Sequence, residues 1–266
     1  MIDNNNNNNN NKNNNKNNNG NIDNNVENGG FSAGSEIQGD ADLPQEVMQI
    51  MQKIQEINNK REVEKRMKII GLTGGSGAGK GEVCKAFLAK GIDSIDTDKV
   101  SRDITRKGSD CLRELVDSFS GVILSAFGEL NRAKLAEIAF SSRQNLELLN
   151  SITHKHILKE CTNWLLSMVK ADRQAVIIDA PLLFESGFYK NCDIIIVVIA
   201  ELEKRLQRII NRDNITRDQA ERRIRSQKND EFFIENSDYV IYNNSNYSDV
   251  FIQVSNIYRD LFPSVY

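Results

Sequence analysis

Ile69-Ile70-Gly71-Leu72-Thr73-Gly74-Gly75-Ser76-Gly77-Ala78-Gly79-Lys80 is an apolar strand pattern that runs into a glycine-rich loop and ends on a lysine. Gly74, Gly79 and Lys80 fill the first, sixth and seventh places of the pattern G-x-x-x-x-G-K-[ST]. Glycines let successive backbone N–H groups curl around an anion, the following helix adds its positive end, and Lys80 reaches the β- and γ-phosphates. Gly75, Ser76, Gly77, Ala78, Gly79, Lys80, Gly81 and Glu82 are therefore the expected ATP-binding residues. One position departs from the pattern: Gly81 stands where a Ser or Thr hydroxyl ordinarily ligates Mg²⁺. The ion is then expected to be held through water and the phosphates, in keeping with the water shell it retains. Glu82, in the first turn of the helix, favours the dipole and is expected to point away from the nucleotide. A dinucleotide-binding reading fails on spacing, because the third glycine place after Gly75 and Gly77 is Lys80. No Asn-Lys-x-Asp guanine-reading sequence occurs.

Outward from the loop, short β-branched runs recur at Lys68 to Leu72, Ser94 to Ile95, Ala175 to Ile178, Ile194 to Ile199 and Tyr239 to Ile241. Helical patterns separate them at Glu82 to Lys90, Leu146 to Val169 and Glu203 to Asn211. Continuous apolar strands alternating with helices predict a five-stranded parallel sheet covered on both faces. The interval 99–170 carries helical pattern without a strand and is expected to be a helical insertion that builds a substrate pocket. Thr216 with Gln219 reads as a capping box, which makes 211–216 a turn between two helices.

Before the α/β unit, Asn4 to Asn25 is almost pure asparagine and a polar stretch continues to about residue 42. It cannot bury enough apolar surface to offset the entropy of ordering it, so 1–42 is expected to be a disordered tail. Residues 43–66 read as a helix and linker: Val47, Met48, Ile50, Met51, Ile54 and Ile57 follow helical spacing behind Pro44. That stripe needs a partner, and packing on the body is expected over a coiled coil of two heptads.

The 266 residues carry 34 Lys+Arg against 37 Asp+Glu, a net charge of −3, which removes the electrostatic case for a nucleic-acid binder. The longest apolar run, Ile194 to Ala200, is far short of the roughly 20 residues that cross a bilayer. Cys84, Cys111, Cys161 and Cys192 form no Cys-x-x-Cys pair and suggest neither a disulfide framework nor a zinc site. With no apolar signal core at the N-terminus, the cytoplasm is the expected compartment.

Residues just past a strand's C-terminal end face the same crevice as the phosphate loop. That places Asp96 and Asp98, after Ser94-Ile95, near the nucleotide, where a carboxylate can accept the proton of an attacking hydroxyl or hold metal-bound water. Either could instead cap the next helix. Asp179, at the end of Val176-Ile177-Ile178, is placed to hold a metal ion through water. Arg205, Arg208 and Arg212 fall on one helical face at spacings of three and four. On pattern alone, His154 reads as a packed or capping histidine and Trp164 as core.

The stretch 70–80 followed by Ile95-Asp96-Thr97-Asp98 and Arg102 resembles the dephospho-CoA kinase family. The resemblance continues through Leu149-Asn150-Ser151-Ile152-Thr153-His154, Asp179-Ala180-Pro181-Leu182-Leu183-Phe184-Glu185, Arg208 to Asp213, Gln227, and Asp238 to Ile241 before Asn243-Asn244. It covers about 67–262 of a domain read as 67–266. The family usually has Ser-Thr in place of Gly81-Glu82 and His-Pro in place of His154-Lys155. Arg208 and Arg212 match its arginines, whereas Arg205 stands where glutamine is common.

The resemblance implies ATP and dephospho-CoA as substrates, Mg²⁺ as cofactor, and transfer of the γ-phosphoryl group to the ribose 3′-hydroxyl. Lys80, Asp98, Arg208 and Arg212 are then the expected catalytic residues. Asp98, Arg102, His154, Pro181, Leu183 and Glu185 are the expected acceptor-binding residues, and Asp179 the metal site. The arginine-rich segment 201–230 is expected to be a lid that excludes water. Another nucleotide or nucleoside kinase of this fold, and a nucleotide-binding protein without catalysis, are the alternatives.

Overall fold

Strands β1 (Lys68–Thr73), β3 (Ala175–Asp179) and β4 (Ile194–Ile199) are near-continuous apolar runs because both of their faces are covered. The computed structural model describes residues 43–263, so the tail expected at 1–42 lies outside the described residues. With β2 (Asp93–Asp96) and β5 (Tyr239–Tyr242) these strands form one parallel sheet in the order β2-β3-β1-β4-β5. Side chains alternate across it. Ile70, Leu72, Ile177, Ile196 and Val198 pack on one face against Val83, Ala86 and Phe87 of α2 (Lys80–Leu88) and Val250 and Val254 of α10 (Tyr247–Leu261). Ile69, Val176 and Ile178 pack on the other face against Leu165 and Val169 of the long helix α6 (Arg143–Lys170).

The helix α1 (Gln45–Asn59) spends its apolar stripe on that second face. Val47, Met51 and Ile54 are buried in the same cluster as Leu165 and Val169 of α6. Glu46 pairs with Lys159 of α6 at 2.9 Å. The Asn58 side chain exchanges two hydrogen bonds of 3.0 Å with the backbone of Met67, fixing where the chain enters β1.

Between β2 and β3 the chain forms α3 (Thr97–Asp103), α4 (Asp110–Phe119), α5 (Arg132–Ala139) and α6. These helices close a second small core around Leu115, Ile123, Leu135, Leu149 and Ile152. No strand lies in this insertion; an isolated bridge joins Leu124 and Leu130. After β4 come α7 (Leu202–Asp213), α8 (Arg217–Arg225) and α9 (Asp230–Glu235). Asn214 adopts the left-handed conformation that ends α7, and the Thr216–Gln219 capping box starts α8. Leu206, Ile209 and Ala220 hold α7 and α8 together. No helix among the described residues is long and apolar enough to cross a membrane.

Candidate active site

Strand register gathers the charged residues. Asp179 ends β3 beside Leu72 of β1 on one side and Asp96 of β2 on the other, so three strand ends and the phosphate loop open on one edge of the sheet. The loop itself is held from behind by its carbonyls. Ser76 O accepts from Arg205 Nε at 3.0 Å, Gly77 O from Arg208 Nη1 at 3.1 Å, and Ala78 O from Arg208 Nη1 at 3.1 Å and Asn243 Nδ2 at 2.9 Å. Close approach demands glycine twice. A Cβ on Gly74 (φ 140°) would lie 2.3 Å from Val198 O, and one on Gly77 (φ 78°) would lie 2.6 Å from Arg205 O. Gly79 precedes α2 without any side-chain cap, whereas Asp96, Ser109, Asn131 and Ser142 cap the four helices that follow. No side chain therefore competes with an anionic ligand for the start of α2, where the Glu82 N–H bonds the Gly79 carbonyl at 3.0 Å.

Lys80 Nζ lies 3.5 Å from Gly74 O and 3.9 Å from Asp179 Oδ1. Asp179 Oδ2 accepts from the Cys84 thiol at 3.6 Å, while Oδ1 is buried with no hydrogen-bond partner among the described residues. Burial, with Asp96 and Asp98 nearby, pushes the Asp179 carboxyl up to about 6 in spite of Lys80. The described residues hold no cluster of three side chains that could grip a metal ion directly, and Asp179 Oδ1, an orphaned buried carboxylate oxygen beside the phosphate loop, suits a Mg²⁺ that keeps its water shell.

Asp96 proves to be the helix cap: its carboxylate accepts from the N–H groups of Asp98 at 2.8 Å and Lys99 at 3.1 Å. Asp98, two residues on, is left for other work. Burial and then Asp96 raise its pKa, and Lys80, Arg102 and Arg212 oppose the rise. Glu82 is engaged by Lys85 at 2.8 Å on the exposed surface, and a Cβ on Gly81 would meet nothing within 4 Å.

Asp98 also lines a cavity walled by the insertion and by the turn after β3. Its lining includes Thr97, Thr105, Arg132, Leu149, His154, Pro181, Leu182 and Glu185. His154 is partly buried there, and burial lowers its pKa, which favours the neutral ring. Leu183 corrects the expectation for this turn. It is fully buried in the core beneath β1, near the Cα of Gly71, and Leu182 faces the cavity instead. Arg102 is exposed on α3 near Asp98. Arg132, which the sequence reading missed, reaches the lining.

Seven arginines fall within 201–230. Arg205 is 5 % exposed and paired with Asp230 at 3.0 Å, so it is a structural clamp on Ser76. Arg208, expected to meet transferred charge, has its donors on the loop carbonyls and on Asn243 O at 3.0 Å. Arg212 pairs with Asp213 at 2.7 Å and is the arginine of the three whose charge reaches Asp98. Gln227 was part of the resemblance without a role; its Oε1 accepts from Ser76 N–H at 2.8 Å, tying the end of α8 to the loop.

The family model for dephospho-CoA kinase matches residues 68–249. A dephospho-CoA kinase of Fusobacterium nucleatum is 44 % identical over 186 residues, covering 70 % of this chain and 94 % of the relative. One of Corynebacterium glutamicum is 35 % identical over 196 residues, covering 74 % and 98 %. Among solved structures, a dephospho-CoA kinase from Campylobacter jejuni superposes with a TM-score of 0.56 at 25 % identity, covering 74 % of this chain and 98 % of that one. The match begins at β1, leaving α1 outside it, and on its extent and identity the chain belongs to the dephospho-CoA kinase family.

Proposed function

We propose that this protein transfers the γ-phosphoryl group of ATP to the ribose 3′-hydroxyl of dephospho-CoA, giving ADP and coenzyme A. The observation that carries the reading is the position of Asp98, which shares charge with Lys80 on the phosphate-loop side and lines the insertion cavity on the other. A hydroxyl seated in that cavity meets a carboxylate of raised pKa, suited to take its proton as the oxygen attacks phosphorus. Lys80 and Arg212 supply positive charge to the transferring group, and Arg205, Arg208 and Asn243 fix the loop so that its N–H groups are oriented before the nucleotide arrives. Asp179, with Asp96 and Asp98 near it, would hold Mg²⁺ through water; the bound ion supplies charge neutralisation on the β- and γ-phosphate oxygens.

The segment 201–230 acts as a lid in this reading. Its attachment through Gln227 and Arg205 to Ser76 couples it to the occupied loop, and closure over the nucleotide would exclude water from a reactive phosphoryl donor. The testing experiment measures ADP release with dephospho-CoA, adenosine and shikimate as acceptors, and locates the new phosphate by NMR. Preferential turnover of dephospho-CoA with phosphate on the 3′-oxygen is expected. Preference for either other acceptor, or ATP binding without turnover, overturns the reading.

A further inference from the structure

A group that takes a proton from an attacking hydroxyl must sit within hydrogen-bond reach of it, yet little around Asp98 holds it in place. Its carboxylate accepts no hydrogen bond among the described residues, so its position is that of the first turn of α3. That helix is seven residues long and buries none of them; Val100, partly buried, packs against the core of the insertion. The cap from Asp96 joins α3 only to β2, which lies at the edge of the sheet and has no buried residue. An edge strand is a loose foundation for a reacting group.

One further bond reaches past that edge. Thr97 Oγ1 donates to the backbone carbonyl of Asp179 at 3.1 Å. Asp179 ends β3 and is paired in register with Leu72 of β1 and Asp96 of β2, so its backbone is held from both sides. Thr73 Oγ1 donates to the Pro181 carbonyl at 3.4 Å, which pins the following turn to the end of β1 as well. Of the two ends of the Thr97 bond, the α3 end is therefore the one that needs holding. Other threonines spend their hydroxyls locally: Thr105, Thr153 and Thr162 each donate to a carbonyl four residues back. Thr97 is the first residue of α3, with no helical turn behind it, and its hydroxyl is turned to the neighbouring strand instead.

Resting on the kinase reading above, we propose that Thr97 is a positioning residue, whose hydroxyl ties the first turn of α3 to β3 and thereby sets the approach of Asp98 to the acceptor hydroxyl. Such a tie acts on the alignment of reacting groups more than on ligand binding, and a misplacement of about 1 Å can cost about a hundredfold in rate. The test compares the full-chain wild type with Thr97→Val, which keeps the shape without the donor, and Thr97→Ser, which keeps the donor. Steady-state kinetics with ATP and dephospho-CoA, rate against free Mg²⁺, and amide hydrogen exchange of 97–103 in the ligand-free protein are measured. Thr97→Val is expected to lower kcat about ten- to a hundredfold, with both KM values and the Mg²⁺ requirement within about threefold of wild type. Exchange in 97–103 should quicken about three- to tenfold in the same variant. Thr97→Ser stays within about threefold of wild type throughout. Ile54→Ala, which weakens the fold from α1, is the control: its kcat stays within about twofold, so lost stability alone does not reproduce the effect.

A rise in the acceptor KM at unchanged kcat would mean that the hydroxyl touches the acceptor itself, and a selective shift of the Mg²⁺ curve would mean that it acts on Asp179; either overturns the proposal. Equal losses in Thr97→Val and Thr97→Ser, or wild-type kcat in Thr97→Val, overturn it too and leave the kinase reading standing. Thr97→Ala, with neither donor nor added bulk, takes the place of Thr97→Val should that variant fail to fold. A wild type that does not phosphorylate dephospho-CoA overturns the kinase reading and the role of Thr97 together, a result distinct from every outcome read on the variants.

Discussion

The phosphate-loop wall of the site is one contiguous stretch of chain, whereas the wall proposed above for the acceptor is gathered from α3, α5, α6 and the turn after β3. The first is held by directed polar bonds: Arg205, Arg208 and Asn243 each take a loop carbonyl, and Gln227 takes the Ser76 N–H. The second is held by apolar packing, with Leu115, Leu135 and Leu149 joining the core of the insertion and Leu183 joining the core beneath the sheet. Polar bonds fix where single atoms sit, which a phosphoryl donor requires. Packing fixes the volume of a chamber and leaves its polar groups, Asp98, Arg132, His154 and Glu185 among them, to define orientation.

Two substitutions at the seam between the walls carry the largest expected effects. Asp98→Asn should lower kcat by about 10²–10⁴-fold with the KM for ATP nearly unchanged, as befits a group acting on the acceptor hydroxyl. A collapse of ATP affinity instead would move Asp98 to the nucleotide wall. Lys80→Ala should cost about 10²–10³-fold in rate while thermal melting stays close to wild type. The fold tolerates this loss because Asp179, freed of its cation, titrates at still higher pH and gives up its charge. Wild-type turnover in Lys80→Ala would break the account of the loop.

A smaller effect tests whether the acceptor wall depends on what lies outside the family match. Ile54 of α1 is 1 % exposed and packs in the same cluster as Leu165 and Val169 of α6. Ile54→Ala should cost about 2–4 kcal/mol of stability, read by denaturant unfolding, with both KM values within about twofold. A selective rise in the KM for the acceptor would show that α1 shapes the cavity through α6 as well as stabilising the fold.

Next comes a substitution expected to stabilise. The Asp179 carboxyl is pushed up to about 6, above its ordinary value near 4. Stability from this group is therefore intact below about pH 4 and lost as pH rises through 6, where a buried charge forms. Asp179→Asn should raise the melting temperature of the ligand-free protein at pH 8 and bring little gain at pH 5. The ceiling is about 3 kcal/mol, less what Lys80 loses with its partner. The same variant should need more Mg²⁺ for half-maximal rate. A lower melting temperature at pH 8 would mean that the pair with Lys80 outweighs the desolvation of the carboxylate.

The difference between the walls also explains what could be read from the sequence. All five strands and the loop were legible because their signals are local: apolar runs, a glycine pattern, a lysine at fixed spacing. Asp98 was legible because strand ends share an edge. The partners of the loop carbonyls were not, since Arg205, Asn243 and Gln227 come from 129 to 165 residues away, and no local pattern says which amide meets which carbonyl. Leu183 was misread for the opposite reason: in a tight turn, neighbouring residues face opposite ways, so Leu182 and Leu183 are indistinguishable until the turn is built. Arg132 was missed because it opens α5, more than thirty residues along the chain from Asp98, and only the folded insertion brings both to one cavity lining.

The smallest expected effect concerns Gly81, where the nucleotide wall lacks a hydroxyl. A Cβ there meets nothing within 4 Å, and the residue lies in the first turn of α2 without a positive φ, so serine fits without strain. Serine is the better helix former by a few tenths of a kcal/mol, roughly the whole stability change expected. The informative readout is rate against free Mg²⁺. If the ion is held through water and phosphates alone, with Asp179 behind the water, Gly81→Ser adds a direct oxygen and the concentration for half-maximal rate should fall. An unchanged curve would mean that water oriented by Asp179 already fills that place. Asp179→Asn should then raise the requirement sharply in either background, and if neither substitution moves the curve, the metal does not sit between α2 and the end of β3.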